Sequence, residues 1–296
     1  MIRRPPRSTQ GVSSAASDVY KRQDPGETAF NRLSMEGPMA RNVNDAAMLL
    51  DVMAGYDRRD PMSLDDPAES FEEAAISENV PPRIAFSPDL GVSPVDPEVA
   101  EICERAALRF EELGAHVEKA QPDFSGLQDV FQVHRALSFA TSLGPELEAN
   151  RDTFKPEIVW NVEKGLALTG QDIMNAMVER SEIYRRANTF FSDFDLILTP
   201  ATVVPPYPVE QRFVQRVGDH EFSNYIEWCS IAYAFTVLGA PAMSVPCGFT
   251  QSGLPVGLQI AAPVRKDARL LAAASALENL LRLSGALPID PRAPDS

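Results

Sequence analysis

The sequence lacks the cysteine patterns of metal sites and disulfide-bonded proteins. Its three cysteines, Cys103, Cys229 and Cys247, lie far apart, and no CxxC pair occurs. Zinc sites need closely spaced ligands and disulfide frameworks need paired cysteines, so neither is predicted. The pattern fits three ordinary thiols in a reducing compartment. We therefore expect a cytoplasmic protein with no metal and no other cofactor.

The short motifs of several large enzyme classes are also missing. There is no GxSxG turn for a nucleophilic serine, and no GxGxxG or Walker sequence for a nucleotide. The three histidines, His116, His134 and His220, stand beside no obvious nucleophile, and the carboxylates are scattered over predicted helix faces. Read residue by residue, the sequence contains no visible catalytic centre.

Excess positive charge and long apolar runs are two further absences. The formal net charge is -15, with a pI of about 4.7, whereas nucleic-acid binding needs clustered Lys and Arg to neutralise phosphates. No apolar run approaches the roughly 18 residues of a membrane span. We expect neither a nucleic-acid partner nor a membrane partner.

Residues 1–23 differ in composition from the rest of the chain. They contain five basic residues and one acidic residue, with no helical or strand periodicity. A secretory signal would need an apolar stretch, which this segment lacks. It resembles translated sequencing-adapter sequence, and a natural disordered tail is the alternative. We expect 1–23 to be a non-native or disordered leader and 24–296 to be the folded part.

Apolar strands alternate with amphipathic helices from residue 83 onward. Asp96 and Pro97 are typical of a helix start, and Gly114 of a helix end, between the strand-like segments 83–87 and 116–120. Further strand-like segments lie at 196–200, 242–249 and 255–263. Thr169, followed by Asp172, is typical of another helix start, and 222–238 is predicted to be helical. The segment 56–82 is predicted to be a surface connection. This alternation is typical of the α/β class, and we predict a mixed sheet flanked by helices.

Three motifs resemble the amidase signature family of serine hydrolases. They read EGPMARNVNDAAMLLDVMAGYDRRDP (36–61), LTPAT (198–202) and GAPAMSVPCGFTQSGLPVGLQI (239–260), and they occur in the family's order. The last motif is the most specific because it is long and ordered. The resemblance covers about Ser34 to Leu281 and implies hydrolysis of carboxamide bonds on the amidase signature fold.

The resemblance also implies that catalytic residues lie outside this chain. The family uses a lysine, a serine in a cis peptide and a nucleophilic serine, all upstream of the GPMAR motif. The segment GVSSAAS contains Ser13, Ser14 and Ser17, but it has one glycine and lies too close to Lys21 and to GPMAR. We expect the C-terminal part of an amidase domain, with an incomplete fold, no catalytic residue of its own and no activity alone.

Two alternatives to an amidase fragment remain open at this point. One is a fragment of the glutaminase-type A subunit of an amidotransferase, and the other is a non-catalytic truncated binding protein. In the A subunits the region around Trp228 carries polar groups that help to hold glutamine, whereas YIEWCSIAYAF (225–235) is apolar and aromatic. That difference favours a hydrophobic or aryl amide substrate. The sequence leaves a homodimer open.

Aromatic residues are the candidates for substrate contact. Small-molecule pockets are lined mainly by apolar and aromatic groups, which directs attention to Trp228, Tyr233 and Trp160. Core packing is the competing interpretation for each of them. We predict that these three residues line the substrate pocket.

Overall fold

The computed structural model describes Phe30, Leu33 and residues 37–65 and 67–283. The proposed leader at 1–23 lies outside these residues. Its interpretation, together with the exclusion of Ser13, Ser14 and Ser17 as nucleophiles, therefore stays a prediction.

A mixed sheet forms the centre of the described chain. The strands are β1 (Arg83–Phe86), β2 (His116–Lys119), β3 (Leu196–Pro200), β4 (Arg216–Val217), β5 (His220–Glu221), β6 (Ala242–Phe249) and β7 (Pro255–Ala261). Five of them form one sheet in the order β2-β1-β3-β7-β6, and β4 pairs with β5 separately. β1 runs parallel to β2 and β3, whereas β7 is antiparallel to β3 and β6. The predicted α/β class with a mixed sheet is confirmed.

Helices cover both faces of this sheet. They are α1 (Val43–Met53), α2 (Phe71–Ser77), α3 (Pro97–Leu108), α4 (Leu127–Asn150), α5 (Pro156–Leu166), α6 (Gly170–Phe190), α7 (Ser230–Leu238) and α8 (Asp267–Leu281). Two begin at caps that the sequence predicts: Asp96 accepts two backbone N–H groups of α3, and Thr169 forms a capping box with Asp172. No helix in the described part of the chain is long and apolar enough to cross a bilayer.

The helix α2 lies within a segment, 56–82, that the sequence predicts to be a surface connection. Its first turn is held by Asp51 of α1, which accepts hydrogen bonds from the backbone N–H groups of Phe71 (2.7 Å) and Glu72 (2.9 Å) and from the Ser70 hydroxyl. A carboxylate at a helix N-terminus satisfies donors that have no intrahelical partner. Ser70 is also the N-cap, because its hydroxyl accepts from the backbone N–H of Glu73 at 3.3 Å. The S-x-x-E pattern of Ser70 and Glu73 is a local start signal for this helix, whereas the support from Asp51 comes from 20 residues away.

The helix α7 begins later than the helical segment that the sequence predicts for 222–238. The side-chain oxygen of Asn224 accepts from the backbone N–H groups of Ile226 and Glu227, both at 3.1 Å. Such Asx turns compete with helix formation. One 3-10 turn (Glu227–Cys229) follows, and the α-helix starts only at Ser230.

Each face of the sheet has its own core. The first face packs against α1, α2, α3 and α8 and includes Leu198, Ile260 and Met243. The second face packs against α4, α6 and α7 and includes Ile197, Ala261 and Ala242. Alternation along a strand places neighbouring residues on opposite faces, as these two sets of consecutive residues do. α5 packs on α4, outside the second face.

Candidate active site

Three polar side chains form a row across the second face, near the end of β3. Thr199 of β3 pairs with Gln259 of β7, and Gln259 pairs in turn with Ser244 of β6. Directly paired residues present their side chains on the same face. The Gln259 amide donates to the backbone oxygen of Ile231 in α7 at 3.2 Å. The Thr199 hydroxyl and Gln259 Oε1 are buried and have no hydrogen-bond partner among the described residues.

A cavity of about 480 Å³ lies at the exposed end of this row. Its walls are the loop from Ala201 to Tyr207, the indole of Trp228, and Ser244, Pro246 and Gly257 of the β6–β7 pair. The volume is in the range of small-molecule sites. Among its described lining residues there is no lysine, histidine or acid, so these residues provide binding surface but no general base.

Gly257 keeps the cavity floor open. A Cβ atom at this position would lie 2.7 Å from Ser244 Oγ and 3.3 Å from the Cβ of Ala201. The first distance is too short for an ordinary contact, so a larger residue would displace the Ser244 side chain. Because position 257 of β7 is a glycine, the Ser244 hydroxyl stays accessible beside the cavity.

Trp228, a predicted substrate-contact residue, lines the cavity. Its indole N–H donates to the backbone oxygen of Tyr225 at 2.9 Å, and its ring meets Tyr207 edge-to-face with 6.1 Å between ring centroids. The hydrogen bond fixes the indole orientation, and the paired rings form an aromatic wall. An edge-to-face pair is a rigid contact surface for another aromatic ring.

Tyr233, the second predicted residue, is a core residue of α7. It is 5% exposed, and its ring stacks on Phe131 with 3.7 Å between centroids. Its hydroxyl donates to Gln128 Oε1 at 2.6 Å, and burial raises the pKa of the phenol. Tyr233 is not among the residues that line the cavity.

Trp160, the third predicted residue, lies on α5 and is 37% exposed. Its ring meets Tyr225 edge-to-face with centroids 6.0 Å apart, and the Lys164 ammonium lies 5.0 Å from its centroid. It does not line the cavity. It is connected to Trp228 through the turn 225–228, because Tyr225 contacts both indoles.

A polar cluster behind this turn was not predicted from the sequence. The hydroxyl of Tyr225 accepts hydrogen bonds from Nη2 of Arg135 (2.9 Å) and from the amide of Asn161. The Arg135 guanidinium also lies 4.5 Å from the centroid of Phe139, in a cation–π contact. Arg135 and Asn161 lie 90 and 64 residues from Tyr225, so no local pattern joins them.

Two titratable side chains near this region are held neutral. Burial raises the pKa of Cys229 to about 12, against the opposing effect of Arg135. Burial, with the nearby charge of Arg180, lowers the pKa of His134 to about 4. Neither group exchanges a proton near neutral pH, so neither suits general acid–base catalysis there.

Comparison with known proteins identifies the class to which this architecture belongs. The sequence profile of the family described as Amidase matches residues 8–271, and the chain is a member of that family. It is 33% identical over 267 residues to an acylamidase of Rhodococcus erythropolis, covering 88% of this chain and 55% of that protein. It is 31% identical over 278 residues to the A subunit of a glutamyl-tRNA(Gln) amidotransferase from Moorella thermoacetica, covering 86% of this chain and 56% of that one.

A solved structure supports the same assignment. The chain superposes on a bacterial aryl acylamidase of the amidase signature enzymes with a TM-score of 0.80 and 25% identity, covering 93% of this chain and 60% of that one. The predicted family and fold are thus confirmed. The chain spans little more than half the length of the curated relatives that it matches.

Proposed function

We propose that this chain forms the substrate-pocket wall of an amidase that hydrolyses carboxamide C–N bonds of hydrophobic or aryl substrates. The observation that carries the proposal is the cavity beside Ser244, whose aromatic wall is the Tyr207–Trp228 pair. Family membership supports amide hydrolysis. The similarity to an acylamidase and to an aryl acylamidase supports an aryl or acyl amide as the substrate class.

The proposed reaction uses a Ser-Ser-Lys triad from polypeptide that the described residues do not include. A neutral lysine takes the proton of the nucleophilic serine through the bridging serine, and the serine oxygen attacks the amide carbon. The C–N bond breaks as the proton passes to the leaving amine, and water then hydrolyses the acyl-serine ester. In support of this division, the described cavity residues provide no base.

In this proposal the chain's own residues bind and orient the substrate. Tyr207 and Trp228 hold the aryl ring, and the open floor at Gly257 admits the amide beside Ser244. Water exclusion by the apolar walls strengthens hydrogen bonds to the reacting amide. A cytoplasmic location is part of the proposal and rests on the cysteine pattern. A homodimer is a further proposal, which light scattering would test.

The binding half of the proposal can be tested with tryptophan fluorescence. Titration with acetanilide should quench the protein's emission, and Trp228→Phe should remove most of the quenching. Trp160→Phe is the matched control, because Trp160 does not line the cavity, and it should leave the quenching in place. Quenching that persists in Trp228→Phe would overturn the assignment of this cavity to the substrate.

The catalytic half can be tested by turnover of 4-nitroacetanilide. The 296-residue chain should release no nitroaniline above background. Robust turnover that disappears on Ser13→Ala, Ser14→Ala or Ser17→Ala would show that the nucleophile lies in this chain, against the proposal. No binding and no turnover, with the fold intact, would instead favour a non-catalytic binding protein with a different ligand.

A glutaminase of the amidotransferase type is the second candidate, favoured by the 31% identity to the Moorella thermoacetica protein. The apolar aromatic wall argues against glutamine, whose two polar ends would need partners in the cavity. Calorimetric titration with glutamine and with acetanilide separates the two candidates. Tighter binding of glutamine would replace the aryl amide proposal.

A further inference from the structure

We propose that Arg135, together with Tyr225, forms a subsite for a carboxylate group on the substrate. The inference rests on the proposed function, because it adds an acidic substituent to the hydrophobic or aryl amide. The subsite adjoins the cavity through one turn of chain. Tyr225 contacts Arg135, and its backbone oxygen holds the indole of Trp228 at the cavity wall.

The charge of Arg135 is not neutralised by the described protein. Its Nε atom is buried and has no hydrogen-bond partner among the described residues, and its Nη2 donates to the neutral hydroxyl of Tyr225. The guanidinium otherwise faces the rings of Phe131, Phe139 and Tyr225 at 5.9, 4.5 and 5.8 Å from their centroids. Buried charges are normally paired, so this group has the capacity to bind an anion.

The acidic residues of the adjacent helix α5 are engaged elsewhere. Glu157 forms an ion pair with Arg212 at 2.6 Å, and Glu163 forms an ion pair with Arg151. Both lie on the same helix as Asn161, which contacts Tyr225. If Glu157 or Glu163 moved to pair with Arg135, it would leave its present partner, Arg212 or Arg151, unpaired.

A second cation increases the positive potential around the cluster. Lys164 of α5 donates to Gln132 Oε1 at 3.2 Å, and Gln132 in turn donates to Asn224, the neighbour of Tyr225. Asp129 attracts this ammonium, so its charge is partly balanced, unlike that of Arg135. In a protein with a net charge of -15, an arginine without an ion-pair partner among the described residues favours an anionic group.

The hydrogen-bond inventory of the cluster points to an acceptor ligand. The Tyr225 oxygen accepts from Arg135 and Asn161, which leaves its own O–H to donate. Arg135 Nε–H is a second donor without a partner among the described residues, so the cluster offers two donors to an acceptor such as a carboxylate. Asn161 is fully buried and its Oδ1 is an unpartnered acceptor, so the bound group or its hydrating water must also present one donor.

The test compares two ligands that differ in one carboxylate. Calorimetric titration of the full chain should show 4-acetamidobenzoate binding at least about tenfold more tightly than acetanilide, since a hydrogen bond to a charged group stabilises binding by that order. Arg135→Gln should remove this preference while acetanilide affinity stays the same. Arg105→Gln is the matched control, an exposed arginine in an i,i+4 ion pair with Glu101, and it should keep the preference.

Two further variants keep the test decisive if Arg135→Gln fails to fold. Arg135→Lys retains the charge but lacks the Nε–H, and Tyr225→Phe removes one donor; each should reduce the preference several-fold. Equal affinities for the two ligands, or a preference that survives in both variants, would overturn the subsite and leave the proposed function standing. Binding of neither ligand would overturn both proposals.

Discussion

The two faces of the central sheet differ in how completely their buried atoms are satisfied. The first face is an apolar core of aliphatic side chains and phenylalanines from α1, α2, α3 and α8. Elements on the side of the second face contain six residues with a buried polar atom that has no partner among the described residues: His134, Arg135, Asn161, Thr199, Ser230 and Gln259. Such atoms cost free energy, so they are informative where they cluster. Both faces bury apolar cores, and in the described part of the chain the second-face side also carries this group of unpartnered polar atoms.

The largest expected effect comes from breaking the first face. Leu258→Ala removes a fully buried side chain and should lower the free energy of unfolding by about 2–5 kcal/mol. Leu254→Ala is the matched control on the same hairpin, because Leu254 is 36% exposed, and it should cost well under half as much. Urea denaturation measures both. Similar losses would mean that the first face is not the stabilising core.

A pH effect should come from the second-face side through His134. Its pKa is lowered to about 4 in the folded state, mainly by burial. Between pH 6.5 and 4 the unfolded chain binds a proton that the folded chain does not, so the free energy of unfolding falls as pH falls. The loss should reach roughly 2 kcal/mol between pH 7 and 5. Above about pH 7.5 the histidine should contribute little slope, because it is then unprotonated in the unfolded chain as well.

The control for this pH effect is a variant that cannot titrate at the same position. His134→Leu should flatten the difference in stability between pH 7 and pH 5, measured by urea denaturation at each pH. An unchanged slope in this variant would contradict the assignment. An NMR titration of the His134 ring in the wild type gives the folded-state pKa directly.

Substitutions of two glycines test how closely α4 and α5 pack, one at that contact and one outside it. A Cβ on Gly165 would lie 2.1 Å from the backbone oxygen of Ala136, so Gly165→Ala should destabilise the protein by about 1–3 kcal/mol. Gly170, at the start of α6, has open space around it, and Gly170→Ala should stabilise the protein by up to about 1 kcal/mol. Opposite signs in thermal melts are expected. The same sign for both would mean that α4 and α5 do not pack this closely.

The smallest effect should come from removing an unsatisfied hydroxyl. Thr199→Val deletes a buried, unpartnered Oγ1 and should change stability by less than about 1 kcal/mol, or increase it. Thr250→Val is the matched control, because Thr250 Oγ1 accepts from the backbone N–H of Leu254 at 3.0 Å. That variant should lose about 1–3 kcal/mol. A large loss at Thr199 would indicate a partner for its hydroxyl.

Sequence patterns predicted the elements whose signals are local. The apolar segment that became β3, the Asp96 cap of α3 and the Thr169 capping box of α6 all formed where expected. The helix α2 was missed although Ser70 and Glu73 form a local S-x-x-E start signal, and α7 starts late because Asn224 diverts the chain. Both errors come from hydrogen bonds that periodicity does not represent.

The candidate site was predictable only in part. Aromatic composition led to Trp228, which lines the cavity, but the same criterion gave Tyr233, which is in the core. The helical periodicity of the sequence does not show which residues near α7 face the cavity and which face the core. Arg135 could not be found at all, because the unpartnered state of its Nε among the described residues is a three-dimensional property that no local pattern shows.

The register shift in β6 divides one strand between the cavity and the core. The pairing of β6 with β7 shifts register between Pro246 and Gly248. Before the shift, Ser244 and Pro246 line the cavity; beyond it, a Cβ on Gly248 would lie 2.8 Å from Ile102 of α3. A substitution at position 244 or 246 therefore changes the cavity wall, whereas a larger residue at position 248 presses on the first-face core. Within a single strand, the shape of the cavity and the packing of the fold are set by different residues.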